Sequence, residues 1–342
     1  MPLSFRYKNL KELRFQKPDG ELLSLDVPQD INQEILSQAI RDEYLVLTVA
    51  TGRSIAESEV CTIQSANNIV GYLIPGQAIL SPDQQLNSDK MYGTYSLIVA
   101  MEVCERSFRG DYQLSPYSLG SDSPQTVFHE DIFYLVIWLK RLGCSATAFA
   151  DDYFVSLAKN GLFPSSWGRK PLPSQRMRAA YDQPIRISKN STWPAYVRTI
   201  ISELEPYASD PFLRFFYLYQ VIETLMSVNY RSELDHIRIS FDAKRDLSIT
   251  QLREYVEKFQ RVYREKTRIN KALQPPCPRS MRSAQALLNA LGEFEQEDSF
   301  GEMIYKVRNI IFHDYQRAHP YASLVSDLEE DLTSYILEKK LA

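Results

Sequence analysis

The hydrophobic periodicity of this chain changes near residue 195, and that change constrains the fold more than any other feature. Before it, apolar residues come in short alternating or continuous runs broken by turn residues, and after it they recur every three or four positions. A single core rarely grows past roughly 250–300 residues. A chain of 342 residues with two periodicities therefore reads as two domains, 1–190 and 191–342. The boundary falls in residues 164–194, a stretch rich in Pro, Ser and basic side chains.

In the first domain, residues 21–27 (ELLSLDV), 44–50 (YLVLTVA), 69–74 (IVGYLI) and 95–103 (YSLIVAMEV) concentrate or alternate β-branched and aromatic side chains, which predicts strands, with a further strand over 183–188. Residues 129–142 and 152–160 predict helices, the second closed by Gly161 and Pro164. That mixture is an α+β domain. In the second domain Phe212, Phe215, Phe216, Tyr219, Ile222 and Met226 fall on one face of a helix, and Leu252, Tyr255, Val256, Phe259, Val262 and Tyr263 repeat the rule. Residues 281–291 and 321–341 add two more helices, and Ser299 with Glu302 forms a capping-box signature that starts another near Phe300. The fold class is thus an α+β domain followed by an all-α bundle of about five helices.

Composition excludes several classes. At 44% hydrophobic and 24% charged the chain lies near the globular average, far from disordered or collagen-like sequences. The longest apolar run, residues 132–139, is too short to cross a bilayer, which takes roughly 18 residues or more, and the polar start lacks a signal-peptide core. The expectation is a cytoplasmic protein without a membrane partner. Cys61, Cys104, Cys144 and Cys277 form no C-x-x-C pair and read as ordinary buried thiols, so no disulfide framework or zinc site is expected. No phosphate-binding glycine loop or nucleophile elbow occurs, and no cofactor or metal is expected. His129-Glu130-Asp131 reads as acidic residues at a helix start, and His236 as part of a charged connector.

Net charge is −4, yet basic residues are segregated. Residues 165–200 carry seven basic side chains against one acid, and residues 253–282 carry nine against three. Such stretches suit an anionic ligand.

The chemistry-bearing residues lie in the helix beginning at Phe300, FGEMIYKVRNIIFHDY. Phe300, Met303, Ile304, Val307 and Ile311 cluster on the core side. Asn309 and His313, four apart, project together on nearly the opposite side, and Arg308 lies between the two faces. A guanidinium clamps phosphate oxygens in pairs and a free imidazole titrates near pH 6.5, so this face can hold an anion and move a proton. Glu223 falls within the apolar face of the aromatic helix, where a carboxylate needs a partner. Two partners fit: Arg308, which Glu223 would orient, or a purely structural one.

The run Arg308 to His313 resembles the Arg-x-x-x-x-His motif of the HEPN superfamily, with Asn309 as the polar residue after the Arg and Asp314 also matching. Residues 212–225 (FLRFFYLYQVIETL) are similar to the aromatic early helix of the Apea-like HEPN branch, including Tyr219, Gln220 and Glu223. The resemblance covers residues 196–342. It implies a metal-independent endoribonuclease that cleaves cellular RNA, tRNA or mRNA, as a homodimer through this domain, commonly as a toxin or in anti-phage defence. His313 would then be the general base or acid, Arg308 the phosphate clamp and Asn309 a positioning donor, with Glu223 and Asp314 supporting. Because one His cannot easily serve as both base and acid, a two-fold dimer would supply the second.

Arg169, Lys170, Arg261, Arg264, Arg268 and Lys271, drawn from the two basic stretches, are candidates for RNA-backbone contact. The N-terminal domain would sense a trigger ligand or select the RNA, and a cognate regulatory protein would neutralise a toxin-like enzyme. His319, just before Pro320, reads as a loop residue and a minor candidate for a second proton carrier. The alternative is a non-catalytic module that keeps Arg308 and His313 for binding a nucleotide, RNA or a partner protein.

Overall fold

The computed structural model describes residues 5–9, 12–16, 22–26, 42–51, 60–78, 94–102, 133–164, 184–189, 193–243 and 248–341. Its contacts divide the chain into two units, Met1–Thr192 and Trp193–Ala342. The first is α+β and the second all-helical.

In the first unit β1 (Phe5–Asn9), β2 (Glu12–Gln16) and β3 (Leu22–Asp26) form an antiparallel meander. A second sheet is built from β4 (Tyr44–Thr51), β5 (Cys61–Ser65), β6 (Asn68–Pro75), β7 (Phe133–Trp138), β8 (Leu162–Pro164) and β9 (Ile185–Arg186), in the order β8-β4-β7-β6-β5-β9. Its neighbours are antiparallel except β5 and β9. The turn between β5 and β6 places Ala66 and Asn67 at φ +47° and +66°, the left-handed pair of a tight hairpin. Both faces of this sheet are covered. Helix α3 (Ala146–Lys159) packs Phe149, Tyr153 and Leu157 with Leu73, Leu135 and Ile137. Tyr72, whose side chain alternates with Leu73 to the other face, meets the Tyr95 ring of α1 (94–102) at 4.9 Å.

That double cover explains two corrections. Residues 95–103, expected as a strand, are helical through 102, and residues 133–138 of the expected helix 129–142 are the central strand β7, with only α2 (Leu139–Leu142) helical. Both runs are apolar on every side, so neither has the polar stripe that separates a period of 3.6 from a period of 2. The strand expected over 183–188 shortens to Ile185–Arg186. His129, Glu130, Asp131 and Cys104 lie outside the described residues.

The second unit contains α4 (Ala195–Thr199), α5 (Pro211–Asp242), α6 (Ile249–Tyr263), α7 (Glu265–Ala272), α8 (Pro278–Leu291), α9 (Phe300–His313), α10 (Tyr315–Ala318) and α11 (Ala322–Tyr335). Six of these have eight residues or more, one beyond the expected five. Phe215, Leu218 and Ile222 of α5, Leu287 and Leu288 of α8, Ile304 and Val307 of α9 and Leu328 and Leu332 of α11 are fully buried and form its core. Within it, Arg214 of α5 donates to the Glu329 carboxylate of α11 at 2.6 Å, and the Glu329 side chain has no exposed surface. Gly301 lets α9 touch α7, since a Cβ there would lie 2.6 Å from the Asn270 Cα.

Three expectations on this unit change. α5 continues to Asp242, so His236 is an exposed helical residue and no connector. Phe216 is 40% exposed, at the edge of the aromatic face. In α6 only Tyr255 of the expected apolar face is buried. Of the thiols Cys61 is buried, while Cys144 and Cys277 are half-buried, so burial does not hold for all of them.

The capping box forms as read. The Ser299 hydroxyl accepts from the Glu302 N–H and lies 2.7 Å from Glu302 Oε2, which also accepts from the Ser299 N–H. These two donors, hydroxyl first, hold the Glu302 carboxyl below its ordinary value. A depressed carboxylate contributes stability above its unfolded pKa and loses it as pH falls through the folded value. Ser299→Ala is expected to cost about 1 kcal/mol at pH 7. Urea titration should show that difference shrinking once the pH falls below the ordinary glutamate range, and a pH-independent difference would contradict the cap.

Candidate active site

α9 is positioned from both ends. Its first turn is fixed by the capping box and by Gly301 against α7, and its buried face is Phe300, Met303, Ile304, Val307, Ile310 and Ile311. The last turn therefore emerges from the core at a set angle, carrying the remaining side chains outward.

Arg308 is half-buried and is held by π faces. Its guanidinium carbon lies 5.0 Å from the centre of the Phe312 ring and 5.4 Å from that of Tyr219 on α5. Its Nη1 donates to Asn309 Oδ1 at 2.9 Å, and its buried Nε has no partner. Arg308 forms no ion pair among the described residues, so its charge is left for an incoming anion.

The Tyr219 hydroxyl, also buried and without a partner, has its pKa raised far above the ordinary tyrosine value. Burial is the main cause, the Glu265 carboxylate adds to it, the Arg308 charge opposes it, and Glu223 and Tyr305 contribute further. Two carboxylates therefore lie near this hydroxyl without clamping the guanidinium. Glu223 is half-buried, and its carboxylate makes no hydrogen bond or ion pair among the described residues, so the pairing with Arg308 is not formed. Asn309, instead, holds the guanidinium.

His313 is the last residue of α9 and is exposed. Five residues from Arg308, it is displaced along the axis by roughly 7.5 Å. Asp314, exposed, terminates α9 and caps α10, its carbonyl accepting from the Arg317 and Ala318 amides. Next to this terminus aromatic rings accumulate. Phe216 lies 5.5 Å from Phe312, while Phe212 contacts Tyr315 at 4.9 Å and stacks on His319 at 6.3 Å with the rings 5° apart. Phe216 and Tyr315 are 40% and 45% exposed, which leaves part of each ring open for a planar ligand to stack on. The sequence reading gives Phe312 no role; the available signal is its position four residues beyond Arg308, where helical side chains meet.

The basic candidates are only partly available. Arg264 is exposed at the start of α7, Arg268 is half-buried over Tyr230 at 5.5 Å, and Lys271 is paired with Glu233 of α5. Arg169, Lys170 and the Arg261 side chain lie outside the described residues. Among the described residues no group of three or more His, Cys, Asp or Glu is placed to hold a metal ion, and no helix is long and apolar enough to cross a membrane.

No protein-family model matches this chain, and neither a curated protein nor a solved structure matches it.

Proposed function

We propose that the helical unit is a HEPN-type endoribonuclease that cleaves RNA without a metal, in a site completed by a second copy of the chain. The observation that supports this most is the Arg308 guanidinium without an ion pair, caged by Phe312, Tyr219 and Asn309, about one and a half turns before the exposed His313 on the same helix. RNA carries its own nucleophile. His313 takes the proton of the 2′-hydroxyl, the 2′-oxygen attacks the phosphorus, and the bond to the 5′-oxygen breaks as a second imidazole, from the partner copy, donates a proton to it. Arg308 stabilises the extra charge of the pentacoordinate phosphate. The products are a 2′,3′-cyclic phosphate and a 5′-hydroxyl. Phe216 and Tyr315 offer stacking surfaces for flanking bases, and Arg264 a backbone contact.

The test is incubation of the full chain with total cellular RNA and purified tRNA in EDTA, followed by analysis of product ends. Cleavage that persists in EDTA and leaves 2′,3′-cyclic phosphate supports the reading. Products with 3′-hydroxyl ends, or cleavage that requires an added divalent ion, would overturn it. Binding of RNA without any cleavage would favour the non-catalytic module.

A further inference from the structure

α6 carries an apolar seam that its own chain leaves open. Ile249, Leu252, Val256, Phe259 and Tyr263 are 82%, 42%, 54%, 42% and 73% exposed. Their spacing, three then four then three then four, is that of the contact positions of a coiled coil. These five residues occupy one arc of the helix, while Tyr255, at the arc's edge, turns inward. Its ring packs edge-on against Phe241 of α5 at 5.4 Å and its hydroxyl meets Ser240 at 2.8 Å. α5 thus holds α6 in place, covering the edge of the apolar face at Tyr255 and meeting its last residue, Tyr263, through the Tyr230 ring at 6.3 Å.

We propose that this seam is a self-association surface on which α6 packs antiparallel against α6 of a second copy, about a two-fold axis at Val256. The register follows from symmetry. With Val256 on the axis, Leu252 meets the partner's Phe259 and Ile249 meets the partner's Tyr263, so large residues face large ones along the whole seam. The same register places the partner's Glu257 two residues along the axis from the position opposite Arg253, within the span of the two long side chains, twice. Both are exposed and in no ion pair among the described residues. A parallel arrangement would place Arg253 beside the inward-turned Tyr255 and give it no acidic partner. The exposed part of the five residues amounts to roughly 600 Å² per copy, so a pair that covered all of it would bury about 1,200 Å², the lower bound for stable protein contacts. This contact does not rest on the RNA-cleavage reading. A closed dimer has one two-fold axis, so the seam and an apposition of two α9 helices either share that axis or together build a tetramer.

Two measurements on the full chain test it. The solution mass of wild type should be that of a dimer or tetramer, and Val256→Glu/Phe259→Glu should halve it, with association weakened at least ~100-fold because each substitution drives a charge into an apolar seam. Both positions are exposed in the single chain, and circular dichroism checks that the variant stays folded. Under mild oxidation Val256→Cys should give a covalent dimer rapidly, while wild type and Glu254→Cys, on the opposite side of α6, should not. A wild type that stays monomeric well above micromolar concentration, a charged variant with the wild-type mass, or equal cross-linking at 254 and 256 would each overturn the proposal.

Discussion

Glu329→Ala is expected to remove about 3–5 kcal/mol of stability from the helical unit. The carboxylate has no exposed surface, and its partner Arg214 retains only 13% side-chain exposure. Deleting one member takes from the other the ion pair that offsets its desolvation between α5 and α11. That penalty, rather than any large net worth of the pair, makes the effect big, because two buried charges lose much of their attraction to desolvation. A paired replacement, Arg214→Met with Glu329→Leu, should therefore recover most of the loss. Urea unfolding followed by helical circular dichroism measures both. A loss below about 1 kcal/mol for the single variant would mean that water reaches the pair.

Under the proposed mechanism, His313→Ala is expected to slow RNA cleavage by about 10²–10⁴-fold, the range for removing a positioned proton carrier. Since His313 is exposed, the thermal midpoint should not move. Arg308→Ala should cost a comparable factor of about 10²–10³. Arg308→Lys keeps the charge but not the planar fork, so it should recover RNA binding and little of the turnover. Phe312→Leu removes one wall of the guanidinium cage while leaving the charge. It should lower kcat by about tenfold with KM little changed, as expected for loosened positioning. Equal losses in kcat and thermal stability for Phe312→Leu would reduce its role to packing. Wild-type turnover surviving in His313→Ala would remove the proposed proton carrier.

α9 is legible in the sequence because every local signal agrees. The capping box, the buried stripe of Phe300, Met303, Ile304, Val307 and Ile311, and the outward Asn309 and His313 all belong to one amphipathic period. What periodicity does not report is what lies against a face. α6 has as clear an apolar stripe as α9, yet most of it meets solvent, because an amphipathic pattern is the same whether the partner is in the chain or outside it. β7 and α1 were exchanged for the opposite reason, since Tyr134–Ile137 and residues 95–101 are buried all round and carry no polar side to set the period. The β5–β6 hairpin went unread because its left-handed turn uses Ala66-Asn67, without the glycine that normally marks one. For Glu223 the wheel places a carboxylate on the apolar face, and only the packed neighbours show it near Tyr219, with Arg308 over the same ring and hydrogen-bonded to Asn309 instead of to the carboxylate.

The buried ion pair also has a temporal side. Arg214 and Glu329 are 115 residues apart, so α5 leaves the ribosome long before the segment that completes its packing. At about 5–20 residues per second, synthesis leaves the charge and the aromatic face of that helix without α11 for roughly 6–23 seconds. Long-range closure of this kind delays folding until the late contact forms. Because α9 lies between the two in sequence, the arginine and histidine of the proposed site are translated before the bundle that orients them can close. A ribosome still engaged in making the protein would then hold the arginine and histidine of one half of the proposed site before anything orients them, a delay built into chain order alone.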